Sequence, residues 1–195
     1  MIFHKVCIIK ILLIVIFIVN FSFPQSSHNF QINIYSENIL GGTFFKEIYK
    51  NSLGGNLSYN YGFENNLNIG ILISYNPFNH FIKETEAKLS FINFQPEIGY
   101  KIYLLDNLIV FPKVSLGNSW FQLNGNFGNS QNLQPLKISG SGFSFTPNLT
   151  ITQLFSENYG ISFFTSYRFV ANSSTISKGD SFEWFEIGGG IFYCF

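Results

Sequence analysis

The stretch LGGNLSYNYGFENNLNIGILISY, Leu53–Tyr75, decides how the whole chain is read. Up to Phe63 the odd positions carry Leu53, Leu57, Tyr59, Tyr61 and Phe63, while the even ones carry Gly54, Asn56, Ser58, Asn60 and Gly62. Glu64-Asn65-Asn66 breaks the pattern; Leu67, Ile69, Ile71, Ile73 and Tyr75 then alternate with Asn68, Gly70, Leu72 and Ser74. Successive side chains of an extended strand point to opposite faces, so each run has one apolar and one polar face. Two such runs joined by a short polar break form an antiparallel hairpin. Neither run contains a charged residue.

The same unit recurs twice. Phe94, Pro96, Ile98, Tyr100, Ile102 and Leu104 lead into a break at Leu105-Asp106-Asn107, followed by Leu108, Val110, Pro112, Val114 and Leu116. Phe143, Phe145, Pro147, Leu149 and Ile151 lead into Ser156-Glu157-Asn158, followed by Tyr159, Ile161, Phe163, Thr165, Tyr167 and Phe169. Each break holds an acidic residue followed by Asn, which tolerates a left-handed turn conformation. A first strand around Phe30, Ile32 and Ile34 and a last one over Phe185–Phe195 bring the expected count to eight. Between the hairpins lie longer stretches, 36–52, 76–88, 119–137 and 171–181, expected as loops. Short turns at one end and long loops at the other are the pattern of a barrel that crosses a membrane. Most of the expected strands cover 9–13 residues, close to the roughly 9–11 a tilted crossing needs.

Alternation alone also fits a water-soluble barrel, so the nature of the polar face decides. Charged residues make up 11% of the 195, and aromatics 19%; a soluble domain carries roughly 25% charge. Small neutral side chains on the polar face suit a narrow, side-chain-filled interior, and the aliphatic and aromatic face suits lipid. Tyr61, Phe63, Tyr75, Trp120, Phe155, Tyr159, Trp184 and Tyr193 fall near strand ends, where interface girdles are expected. The fold class is therefore all-β, an eight-stranded antiparallel up-and-down transmembrane barrel in the cell outer membrane. At the N-terminus, Lys5 and Lys10 precede the apolar run Ile11–Val19, and small polar residues follow it. This predicts a secretory signal peptide over 1–25, cleaved within 22–28, with the barrel domain over 29–195. The run has nine residues, against about 20 for a spanning helix.

Facing follows from the alternation. Glu97 and Lys101, Lys113, Arg168 and Glu186 all point inward. Arg168 lies nine residues after Tyr159 and Glu186 nine before Phe195, which predicts similar heights on adjacent strands. Glu97 and Lys113 are expected as near-diagonal neighbours across the Asp106-Asn107 turn. Charges in a poorly hydrated interior need partners, so these five are expected to form one paired network across the lumen. A structural plug and a gated, selective conduit are the two readings of that network.

Several of these residues carry a family resemblance. The segment GGTFFKEIYKNSLGGNLSYNYGFENNLNIGILISYN (Gly41–Asn76) resembles the opening of the OmpX-like outer-membrane β-barrel domain family. SENYGISFFTSYRF (Ser156–Phe169) and EIGGGIFYCF (Glu186–Phe195) are similar to its last hairpin. The resemblance implies that Phe195, Tyr193, Ile191 and Ile187 form the terminal signal read by the barrel-assembly machinery. Cys194 departs from the pattern, standing at a lumen-facing position where the family often has a charge. Because Cys7 lies in the leader, Cys194 remains a free thiol.

No strong catalytic motif is present. His80, near Glu84 and Glu86, is the one candidate for an envelope-lipid-modifying barrel enzyme, and nothing in its spacing singles out that chemistry. There is no zinc-ligand spacing and no phosphate-cradling glycine loop. Gly188-Gly189-Gly190 lies in a strand, where close packing or bending is expected. Eleven basic against eleven acidic residues leave no excess of positive charge for nucleic acid. The expected function is a non-enzymatic barrel with a filled lumen and long external loops, structural or surface-interacting, with membrane lipid as its surroundings and no cofactor or metal. The alternatives are the lipid-modifying enzyme and a soluble, exported, lipocalin-like binder of an apolar ligand.

Overall fold

The computed structural model describes residues 27–41, 49–80, 88–127, 134–172 and 181–195. Ten strand segments follow one another: β1 (Ser27–Gly41), β2 (Tyr49–Lys50), β3 (Leu53–Gly62), β4 (Leu67–His80), β5 (Lys88–Tyr100), β6 (Ile102–Leu105), β7 (Leu108–Phe127), β8 (Gln134–Leu154), β9 (Tyr159–Asn172) and β10 (Ser181–Cys194). β2 stands just before β3, and β6 continues β5 after Lys101, so the segments make eight staves. Each pairs antiparallel with the next, and β1 pairs with both β3 and β10. The ring is therefore closed and has no free edge, the condition for crossing lipid with strands. Main-chain bonds between His28 and Phe195, at 2.9 and 3.0 Å, fasten the two ends of the barrel.

The hairpin breaks fall where expected. Of the Asn residues in the three turns, Asn66 alone adopts a left-handed conformation, with φ of 65°. The loop regions are a correction. The strands run well into 36–52, 76–88 and 119–137: β1 continues to Gly41, β4 to His80, and β7 and β8 reach 20 and 21 residues. In 171–181, by contrast, only 171, 172 and 181 are strand, and the rest lies outside the described residues. Residues 1–26, including the expected leader, lie outside the described residues, as do Glu84 and Glu86.

The reason is an exchange of faces along several of the strands, although Leu40 and Leu53 stay exposed at the loop end. Near the turns, the outward positions are apolar: Ile34, Phe163 and Ile191 are 67%, 62% and 65% exposed. Nearer the loops the outward side chains become polar, with Ser36 and Asn38 on β1, Ser90 and Lys88 on β5, and Gln122 and Asn124 on β7. The inward side chains change the opposite way. Asn29, Gln31 and Asn33 give way to Ile39 on β1, and Gln95 and Asn93 give way to Phe91 and Leu89 on β5. On β10 the apolar outward run extends from Phe185 to Phe195, matching the roughly 9–11 residues of a tilted crossing. Above it the barrel is built like a soluble protein, wet outside and oily inside.

Candidate functional site

The lumen is the place where the sequence concentrates buried polar chemistry, and its side chains stack in layers. At the turn end, Asn29 donates from Nδ2 to Asn68 Oδ1 at 3.3 Å. Lys101 Nζ donates to Asn29 Oδ1 at 2.7 Å and sits 5.8 Å from the centroid of the Phe192 ring. The next layer centres on Glu97. Lys113 Nζ lies 3.5 Å from Glu97 Oε1, Asn60 Nδ2 donates to the same oxygen at 2.7 Å, and Ser58 donates to it as well. Glu97 is opposite Ser115 and Lys113 opposite Gly99, so the ion pair is diagonal, as expected.

A third layer surrounds Arg168 and Glu186. Arg168 Nε stands 3.1 Å from Glu186 Oε1, as an ion pair without hydrogen-bond alignment. Nη2 donates to Glu186 Oε2 at 3.4 Å, and Nη1 donates to Ser74 Oγ. Trp184 Nε1 also donates to Glu186 Oε1, at 2.9 Å. The register differs from the expected one. Tyr159 is opposite Tyr193, not Phe195, so Arg168 faces Trp184 and Glu186 faces Ser166. The pair is consequently diagonal, two positions out of level. Glu37, fully buried, joins this layer through Asn76 and through Ser52 Oγ, which donates to Glu37 Oε2 at 2.6 Å.

All five predicted charges point into the lumen and are buried, but they do not form one network. Glu97 pairs with Lys113 and Arg168 with Glu186, while Lys101 contacts an amide oxygen and an aromatic face. Neutral residues separate the two pairs; Gln95 between them bonds Ser144 and Thr146 at 2.8 and 3.1 Å. Glu37 escaped the sequence reading because it stood in an expected loop. Its signal was present, since it keeps the inward phase of Asn33 and Tyr35.

Above the third layer the lumen is closed by apolar side chains. Phe78, Phe91, Phe121, Phe182, Trp184 and Val170 form one buried cluster with Ile39, Tyr49, Leu89 and Leu123. Phe91 is central, with ring centroids at 5.1 Å from Trp184, 5.2 Å from Phe182 and 5.8 Å from Phe121. Trp184 was expected in the lipid-facing girdle; it points inward and is fully buried. Trp120, Tyr75 and Tyr159 do face outward.

The other expected sites are placed as follows. Ile187, Ile191 and Phe195 are exposed on the outer face, with Tyr193 beside them. Tyr193 and His28 both stack on Phe195, at centroid distances of 5.5 and 5.3 Å. Cys194 is a free thiol opposite Asn29. The His80 main chain closes β4 opposite Tyr49, and its side chain lies outside the described residues. Among the described residues no group of three His, Cys, Asp or Glu side chains converges to hold a metal.

The fold has clear relatives among solved structures. Neisserial surface protein A matches with a TM-score of 0.59 at 11% identity, over 87% of this chain and 99% of that one. A major outer membrane protein from Thermus thermophilus matches with 0.57 at 10% identity, over 86% and 99%. Ail, the attachment invasion locus protein of Yersinia pestis, matches with 0.52 at 14% identity, over 87% and 100%. No family model and no curated protein matches the sequence. The shared fold is that of small, eight-stranded outer-membrane barrels, as the resemblance in the sequence implied.

Proposed function

We propose that this protein is a non-enzymatic barrel of the outer membrane, with a sealed lumen, whose loop end serves as a rigid platform for contacts at the cell surface. The exchange of faces carries this reading. An apolar belt of about one bilayer crossing surrounds a polar, ion-paired lumen. Beyond the belt, the same strands turn a polar face outward and pack an aromatic core within. A soluble binder of an apolar ligand needs the reverse, an oily cavity at barrel centre under a polar coat. The polar mid-lumen and exposed Ile34, Phe163 and Ile191 weigh against it. The lipid-modifying alternative rested on His80, whose side chain lies outside the described residues together with Glu84 and Glu86.

The test is heat-modifiability. Membranes from cells producing the protein are separated, and the membrane fraction is run on a denaturing gel with and without boiling. The expected result is a faster band in the unboiled lane, because a closed barrel keeps its shape in detergent. Recovery in the soluble fraction with no shift overturns the membrane reading.

A further inference from the structure

The lysines and the arginine of the described residues divide into two sets. Lys101, Lys113 and Arg168 are in the lumen. The other three, Lys50, Lys88 and Lys137, occupy one cross-strand row. Lys50 is opposite Asn79, Asn79 opposite Lys88, Lys88 opposite Asn124, and Asn124 opposite Lys137. Lysine thus alternates with asparagine across five neighbouring segments, β2, β4, β5, β7 and β8. Asn79, Lys88, Asn124 and Lys137 are exposed on the outer face. Neighbouring strands are about 4.7–4.9 Å apart, so lysines on every second strand start roughly 10 Å from each other.

Two rows beneath it complete the surface. The nearer is Pro77, Ser90, Gln122 and Ser139; the lower is Tyr75, Ile92, Trp120 and Ser141. No acidic residue stands in any of the three. Ile92 and Trp120 are 53% and 48% exposed at the upper margin of the apolar belt. A groove of about 430 Å³ opens between them and the hydroxyl-bearing row, lined also by Ser90, Gln122, Ser139 and Ser141. Rows are two residues, roughly 7 Å, apart along the strand. Upward from the lipid, the surface therefore reads aromatic and aliphatic, then neutral hydrogen-bonding, then cationic.

That order matches the chemistry of one amphiphile: acyl chain, sugar, phosphate. We propose that the outward face of β4, β5, β7 and β8 binds a phosphorylated glycolipid of the outer leaflet. Its chains lie on Ile92 and Trp120, its sugar hydroxyls meet Ser90, Gln122 and Ser139, and its phosphate sits between Lys88 and Lys137. A soluble polyanion would use the lysines but leave the two lower rows unexplained. The proposal rests on the reading that the barrel resides in a membrane.

The experiment uses the full mature chain refolded into phosphatidylcholine vesicles with and without a diphosphorylated glucosamine-disaccharide lipid. Native mass spectrometry of the released barrel counts retained glycolipid. The wild type is expected to retain it, and the pair Lys88→Gln with Lys137→Gln to lose retention by roughly tenfold or more. The pair Lys88→Arg with Lys137→Arg should keep it. Unchanged retention in the glutamine variant, or equal retention of the dephosphorylated lipid, overturns the proposal. So does binding of an octasulfated sugar from solution without retention of the glycolipid, which points instead to a soluble polyanion. The unboiled gel shift in plain phosphatidylcholine reports folding of every variant. If the wild type fails to insert even there, the membrane reading itself fails and takes this proposal with it; normal insertion with unaltered retention overturns this proposal alone.

Discussion

Arg168 is buried among groups that differ sharply in what they leave behind when a partner is removed. Its guanidinium faces Glu186 and Ser74, with Glu37 in the same layer. Truncating it strands two carboxylates in a poorly hydrated interior, and breaking a buried pair in this way costs about 3–5 kcal/mol. Among the described residues, the Lys101 ammonium contacts Asn29 Oδ1 and the Phe192 ring and pairs with no carboxylate. Replacing it by Met leaves one neutral acceptor unpaired, a cost of about 1–3 kcal/mol. The temperature at which the fast-migrating band disappears should therefore fall further for Arg168→Ala than for Lys101→Met. Adding Glu186→Gln to Arg168→Ala should restore part of the loss, since it removes one of the stranded charges. Equal temperatures for the wild type and Arg168→Ala would show that the pair holds nothing.

At the scale of the strand, packing depends on where small residues let large ones in. Tyr35 is buried between β3 and β10, and a Cβ at Gly54 or at Gly188 would collide with its side chain. At Gly190 a Cβ would meet Ile32 O and Asn33, whereas Gly189 points outward and has only Ser162 O and Phe163 nearby, at 3.0 and 3.5 Å. The three consecutive glycines are thus not equivalent. Gly188→Val should destabilise the barrel by about 1–3 kcal/mol through overpacking, and Gly189→Val by much less, both read from the same band-loss temperature. A reversed order would contradict the placement of Tyr35. The sequence showed the run as close packing in a strand but not which glycine mattered, because that needs the register of β1 against β10. Strand ends were hidden for a related reason. Within the belt, apolar means outward, and this rule located Glu97, Lys113, Arg168 and Glu186. Past the belt the rule reverses, so Phe121 and Leu123 fall in an expected loop and Trp184 in the expected girdle; Glu37 keeps the inward polar phase and is lost with the loop expected over 36–52. A reading that kept strict period two and allowed polarity to exchange sides would have extended β1, β7 and β8.

On the scale of the whole molecule, two seals lie in series along one axis. The ion-paired and amide-filled layers block the lumen within the belt, and the cluster around Phe91 and Trp184 blocks it above. Small barrels of eight strands have interiors just wide enough for side chains to fill, and here both chemistries are used to fill it. An ion passing through would have to displace buried pairs and then enter a dry aromatic core, where an uncompensated charge is strongly disfavoured. The wild-type protein in a planar bilayer should consequently show no stepwise current at ordinary voltages. Because the seals act in series, Phe91→Ala with Phe121→Ala should stay silent too, since the Arg168–Glu186 and Gln95 layers beneath are intact. Current is expected only when the polar layers beneath, those of Arg168–Glu186, Gln95, Glu97–Lys113 and Lys101, are truncated as well, in preparations whose unboiled band shows the barrel still folded. Discrete openings in the wild type would mean that the packed lumen rearranges into a conduit, and the platform reading would give way to a gated channel.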